Sequence, residues 1–545
     1  MKKTWIRLLA IVTGVVCTLT AFGGCNKKGQ VDDSDKTLEV YFYNAGYGKK
    51  WFDEMETIFE ERTDYEIEVK ETTAGAEIES MIKAGGDNTT ADLFIVGEPW
   101  SRYVALGAKA VSGYDVCLEP IDDVYESELE GEGLTIEEKI LDVHKKYNSY
   151  EVLENGEYVE HYYSMPWATG YNGLFYNKTI FERAGLTHAP RTTDELIANC
   201  ETLQNEIDDK DFYPIMQSAI DEYIEYTVYV WWSQYSTLKG WENFYSAKVN
   251  DTAIPDPVSS MGIYDDRGMY ASLKVMEELY APANGYVDKL SESYDYTTAQ
   301  AKFLKGLGAI MPNGCWLENE MKSASSSADF TGIVPMKTPV VSAISDKLSY
   351  WGESDSYYKA NLSPTKRAEY DAKLMALVDY VDGVTTTLPS GTTQADADIV
   401  AAARKVANVM QTLTMAIPAY ATAKDAAKEF MKFFATNEAI EIYVENTNAS
   451  ASPFKFDYES WDGYANASEF AKVRFELLNN STAFTHSQKF PAAYAGGLPS
   501  KVKKYSLAFG SQDAGTRLTA DEWVQQLKNM ASPKMESILT LAGLN

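Results

Sequence analysis

A tryptophan directly after a turn, in Pro312-Asn313-Gly314-Cys315-Trp316, is either core filler or a flat platform held at the mouth of a cavity. Two more stand side by side at Trp231 and Trp232, and the chain carries 11 Trp and 37 Tyr in all. Such rings join an apolar face to a polar edge. A polyhydroxylated ligand needs that combination, because its C–H faces stack and its hydroxyls take hydrogen bonds. Large cores also use aromatic residues, so composition alone does not decide. Polar candidates accompany the rings. Glu98 follows the apolar run Ala91 to Val96, and a carboxylate accepts a hydroxyl proton more strongly than a neutral group does; Trp100 stands two residues on. Tyr43 and Asn44 follow the run from Thr37, Ser218 closes Tyr213 to Ser218, and Asn313 follows Leu307 to Met311. On a helix, Trp231 and Trp232 diverge by about 100°, so one would face the core and the other a cleft.

Catalytic signatures are missing. The four histidines, His144, His161, His188 and His486, share no metal spacing, and no HExxH, P-loop or GxSxG motif occurs. Gly46-Tyr47-Gly48 follows a strand but lacks the spacing and the Lys-Ser/Thr end of a phosphate cradle. No cofactor and no metal are expected. Carboxylates are abundant, so a glycosidase pair stays as the rival reading. A formal charge of −31 repels phosphates and excludes nucleic acid as a partner. Beyond residue 25 the cysteines are Cys117, Cys200 and Cys315, far apart and without metal or framework spacing. A bridge between two of them stays open.

The elements that must position these residues are legible by period. Leu38, Val40 and Phe42 alternate as on a strand. Trp51, Met55, Ile58 and Phe59 recur at helical spacing, Tyr65 to Lys70 is strand-like, Ile78, Met81 and Ile82 form a helical stripe, and Ala91 to Val96 reads as a buried strand. Strand, helix, strand, helix, strand is the signature of an open α/β sheet, whose ligands sit beyond the carboxyl ends of the strands. A second such run has a strand at Gly173 to Tyr176, a helix stopping at Gly185, and a helix opened by Thr192 with Glu195 at capping-box spacing. Thr297 and Gln300 repeat that spacing. The helix they open ends at Gly306, the strand Leu307 to Met311 follows, and the residues after Trp316 are helical.

The start of the chain has basic residues (Lys2, Lys3, Arg7), an apolar run from Leu8 to Phe22, then Gly23, Gly24 and Cys25. The run is too short for a comfortable membrane span and the small residues mark a cleavage site. Phe22-Gly23-Gly24-Cys25 resembles the lipobox of bacterial lipoproteins, with phenylalanine where leucine is commoner. The resemblance implies cleavage before Cys25, lipidation of its thiol, and a flexible polar tether to Lys36; an ordinary signal peptide is the alternative.

Three further segments, Phe175 to Leu196, Phe303 to Trp316 and Ala416 to Ala439, resemble the extracellular solute-binding proteins of ABC importers in their sugar-binding branch. The middle one is similar to the family's aromatic, Gly-x-x-Ala-Met-like strand and Asn-Gly-x-Trp. The resemblance implies a two-lobed α/β fold of the type II periplasmic-binding-protein kind, with a ligand cleft between lobes that close by a hinge. Lobe 1 would span 37–165 and 415–452 and lobe 2 would span 166–414 and 453–545, after a signal peptide at 1–24 and a tether at 25–36. A helical insertion at about 340–411, with helices at Thr365 to Val378 and Gln394 to Met410, is expected on lobe 2. By the same resemblance Trp316 stacks on a sugar ring and Trp167 lies at a crossing between lobes. The expected partners are a mono- or oligosaccharide, the transmembrane subunits of a permease, and the membrane through the anchor, with the protein a monomer on the extracytoplasmic face. A peptide or organic anion in the same cleft would call for Arg or Lys, and only Arg102 lies near the strand ends.

Overall fold

The computed structural model describes residues 36–72, 77–84, 90–97, 100, 117–154, 157–409, 413–484, 497–541 and 544. The alternating strand Thr37–Phe42 pairs in parallel with Glu66–Glu71 on one side and Leu93–Gly97 on the other. The sheet is completed by Leu413–Ala416, antiparallel to Leu93–Gly97, and by Met165–Pro166. The crossover helix Lys50–Arg62 buries Trp51, Phe52, Met55 and Phe59. Helices Lys424–Phe434 and Asn437–Asn446 complete that core with Phe430, Phe434 and Tyr443.

The second sheet is ordered Thr482–Phe484, Val406–Val409, Tyr171–Asn177, Gly308–Asn313, Tyr213–Ile215, with Ile333–Pro335 also pairing Tyr171–Asn177. Asn313 lies opposite Gly173 and Ile310 opposite Tyr176. The strand therefore runs through Pro312 and Asn313 rather than ending at Met311, and the chain turns only at Gly314. The helix before it, Tyr296–Leu304, is capped by Asp295, whose carboxylate accepts from Thr298 N at 2.6 Å. That displaces the expected Thr297 cap by two residues and frees Gln300 for another role. Gly306, with φ +77°, ends the helix as expected. Thr192 does cap its helix, but Glu195 turns to Arg191 instead of closing the box.

The insertion packs on the second sheet's side. Its helix Pro364–Val381 buries Leu374, Leu377 and Val378 in that core, and ion pairs Arg191–Asp379 and Arg367–Asp194, at 2.6 Å each, tie it to the helix Thr193–Glu206. Its second helix stops at Arg404, not Met410. Val406–Val409 is fully buried and joins the sheet instead, because Val-Ala-Asn-Val fits between two strands better than on a half-exposed helix face.

The chain passes between the sheets at 167–170 and between Val409 and Leu413. Expected to return by 453, it stays on the first core through Phe454, Tyr458 and Trp461. Those aromatic anchors hold it there, and the helix Glu469–Asn479 then touches both sides, with Phe475 in the first core and Phe470 stacked on Phe175 of the second sheet. At the first crossing, a Cβ on Gly170 would lie 2.2 Å from Cys315 Cβ. Gly170→Ala therefore overpacks the joint and costs about 1–3 kcal/mol. Thermal unfolding should show a lowered midpoint; an unchanged midpoint would contradict this packing. The three cysteines described, Cys117, Cys200 and Cys315, are buried, and no disulfide joins them.

Candidate functional site

Trp316 stands at the N-cap position of the helix Leu317–Ala324 and is half-buried. A Cβ on Gly314 would meet its Cη2 at 2.2 Å, so glycine is what lets the ring lie back over the turn. The ring packs against the first core while Tyr223, from the helix Glu222–Tyr245 of the second, approaches with centroids 5.8 Å apart. Trp316 thus sits where the two halves meet. Beside it Cys315 Sγ lies 3.0 Å from Tyr47 Oη, and Arg474 donates to the carbonyls of Cys315 and Ala449. Asn319 donates to Ser450 Oγ at 2.7 Å and accepts from Asn448 at 2.7 Å. Asn448 and Ala449 both have positive φ, 51° and 57°, so this turn of the chain is held in a conformation its residues rarely adopt.

Tyr43 continues the first strand, its N donating to Ile95 O at 2.9 Å. Its phenol is half-buried, and its pKa is raised by burial first, then by the charge of Glu320 and by Tyr296. Asn44 is exposed and its Oδ1 accepts from Gly46 N at 3.0 Å, folding the strand end into a tight turn. Gly46, at φ +85°, comes so close to Glu320 that a Cβ there would lie 3.0 Å from Glu320 Cγ.

No sequence motif singles out Glu320. It lies one helical turn after Trp316, its N donating to Trp316 O at 2.9 Å, so both side chains emerge on one face. That spacing was the signal available. Its Oε2 accepts from Gln300 Nε2 at 2.7 Å, and burial pushes the carboxyl up to about 7. The Oε1 of Gln300 is buried without a partner among the described residues. Tyr43, Tyr223, Tyr296, Trp316, Gln300 and Glu320 therefore converge, offering rings, one hydrogen-bonded carboxyl and an unsatisfied amide oxygen.

Other expected site residues lie elsewhere. Trp100 is buried, its Nε1 donating to Thr414 Oγ1 at 2.7 Å. Trp167 is stacked on Trp51 at 5.5 Å and donates to Val96 O. Trp231 and Trp232 are both in the second core, the latter against Trp241 and Phe244. The expected divergence of the pair does not bring one into a cleft, because this stretch of helix is buried on every side. Ser218 is buried and accepts from Ile220 N; Asn313 is buried and accepts from Gly314 N. In this conformation none of these six side chains offers a free face. Glu98 and Cys25 lie outside the described residues.

Two open α/β sheets with mutual crossings, and rings and a carboxyl gathered at their junction, define a two-lobed periplasmic binding protein. The model of the family described as bacterial extracellular solute-binding protein matches residues 32–441, and the chain belongs to that family. Its fold is similar to that of a chitin oligosaccharide binding protein (16% identity, TM-score 0.56, covering 92% of this chain and 98% of the other). It is also similar to maltose-bound MalE3 of T. maritima (13%, 0.55, 91% and 98%) and to the sugar-binding protein MalE of Xanthomonas citri (15%, 0.55, 92% and 97%). At such identities the likeness shows the fold. No sequence among the curated proteins compared matches. Among the described residues, no helix is long and apolar enough to cross a membrane.

Proposed function

We propose that the chain is the receptor of an ABC importer, capturing a mono- or oligosaccharide at the mouth formed by Trp316 and delivering it to permease subunits while anchored through a lipidated Cys25. The observation that carries this reading is the half-exposed ring of Trp316, held over Gly314 between the lobes and facing Tyr223. A sugar ring has the flat C–H face such a platform binds, and the carboxyl of Glu320 and the amide of Gln300 supply polar partners at its edge. None of these converging side chains is cationic, which leaves an anionic ligand without a counter-charge. The names of the three structural neighbours, which bind chitin oligosaccharide, maltose and sugar, support the same ligand class. The reading includes no catalytic step.

The test is calorimetric titration of the mature chain with chito-, malto- and xylo-oligosaccharides, with the solution assayed afterwards for cleavage. Binding without products is expected. Cleavage lost on replacing a carboxylate pair would overturn the receptor in favour of a hydrolase, and binding confined to peptides or organic acids would overturn the sugar.

A further inference from the structure

Away from the cleft, the second lobe carries two adjoining cavities of about 680 and 730 Å³ that share Tyr235, Asp265, Asp266, Arg267 and Asp346. Each falls within the roughly 300–1,000 Å³ typical of ligand sites. Tyr235 lies on the same helix as Tyr223 of the cleft, twelve residues on, so the two places are about 18 Å apart at 1.5 Å per residue. The trough is a separate place. The insertion builds much of one wall, through Trp351, Glu353, Asp355 and Tyr357.

Its lining restricts what it can hold. The 680 Å³ cavity brings six carboxylates (Asp265, Asp266, Asp346, Glu353, Asp355, Asp521) against three cations (Arg267, Lys359, Lys528), which disfavours an anion. The carboxylates are already oriented by neighbours. Asp346 accepts from Tyr235 Oη at 2.9 Å and Tyr357 N at 3.0 Å, Asp266 from Ser236 Oγ at 2.6 Å, Asp521 from Tyr270 Oη at 3.1 Å, and Asp265 pairs with Lys528. Carboxylates tied down separately like this do not converge on one metal ion, and no metal-holding group of three is found among the described residues. Each retains lone pairs for a hydroxyl. The rings are fixed too: the Trp351 indole N–H donates to Asp355 O at 3.2 Å, and Tyr270 is held through Asp521. Beneath them, a Cβ on Gly268 would lie 2.6 Å from Trp232 O, so the two helices under the trough touch and the floor cannot yield. At the lip, Thr237 breaks its helix at φ 66°.

We infer that this trough is a second saccharide site, in which Trp351 and Tyr270 provide ring faces and Asp346, Asp355 and Arg267 provide hydrogen bonds. It rests on the carbohydrate reading of the cleft for ligand class alone. A long glycan held at the trough would present its end to the cleft at raised effective concentration. The test is calorimetry on the full mature chain with chito- and malto-oligosaccharides of increasing length, on wild type, Trp316→Ala and Trp351→Ala. Because Trp351 also packs on Tyr370 at 4.5 Å, Asp355→Lys, at an exposed position, is measured beside it. Wild type should bind two equivalents of sugars too short to bridge the two places, and one equivalent, more tightly, of those long enough to bridge them. Trp316→Ala should keep one, and adding either trough substitution should weaken that one at least about tenfold. One equivalent in wild type with every sugar, or a residual site in Trp316→Ala that neither trough substitution touches, would overturn the second site. If Trp316→Ala loses nothing while Trp351→Ala and Asp355→Lys do, the cleft reading fails and the trough stands.

Discussion

Trp316→Ala weakens saccharide binding by roughly tenfold to thirtyfold, about 1.4–2 kcal/mol, which is the scale of a tryptophan anchor at a desolvated contact. The ring is half-buried, so its loss also removes some packing on the first core and on Tyr223, and the melting temperature falls by a few degrees at most. The control is Trp232→Ala. That ring is buried against Trp241 and Phe244, and removing it costs about 3–5 kcal/mol of stability while leaving the affinity of the folded fraction unchanged. Titration and thermal unfolding of both variants separate the roles. A Trp316→Ala protein that binds normally, or one that unfolds as Trp232→Ala does, would return Trp316 to the core.

Affinity also falls with rising pH, and Glu320 is the cause. The Gly46 turn of one lobe lies against its side chain, and burial there raises its carboxyl from 4.5 to about 7. The closed form therefore holds the proton more tightly than an open form whose carboxyl titrates near its ordinary value. Below that ordinary value both forms are protonated and burial carries no ionic cost. As pH rises through about 7 the buried group ionises, the full desolvation cost opposes closure, and the advantage is lost. The groups facing it, Tyr43, Tyr223 and Tyr296, are phenols; those of Tyr43 and Tyr223 are raised further and stay neutral throughout. A carboxyl raised from 4.5 to about 7 holds its proton up to a few hundred times more tightly in the closed form, and sets the same upper bound on how far protonation favours closure. With residual solvent at the site we expect about a tenfold loss of affinity between about pH 5 and pH 8. Glu320→Gln should flatten the profile. A wild-type profile already flat, or one that Glu320→Gln leaves sloping, would remove Glu320 from the closure equilibrium.

Much of the architecture was readable in one dimension. The alternation of Leu38, Val40 and Phe42, the helical stripe of Trp51, Met55 and Phe59, and the glycine stop at Gly306 are local patterns, and the structure contains each. Errors arose where two local rules competed. Thr297 and Gln300 had capping spacing, but Asp295 reached the free N–H groups first. Val406–Val409 continued a helical stretch, but a vacant strand position beside Tyr171–Asn177 claimed it. Phe454, Tyr458 and Trp461 held the chain on the first core past the expected crossing.

The candidate site was less legible, and the reason is physical. The amino-acid sequence by itself determined that the chain is rich in rings, acidic, built of α/β units, and carries a tryptophan poised after a turn. Ring type is a property of the residue, but exposure is a property of everything packed around it. Trp100, Trp167, Trp231 and Trp232 are chemically the same as Trp316, and only the tertiary structure closed the faces of the first four and left the fifth at the junction of the lobes. Gly46 and Glu320 are far apart in the chain, and nothing local to either announces that a left-handed glycine in one lobe admits a carboxyl from the other. Their meeting, and the raised pKa that follows from it, exist only once the lobes have folded and come together.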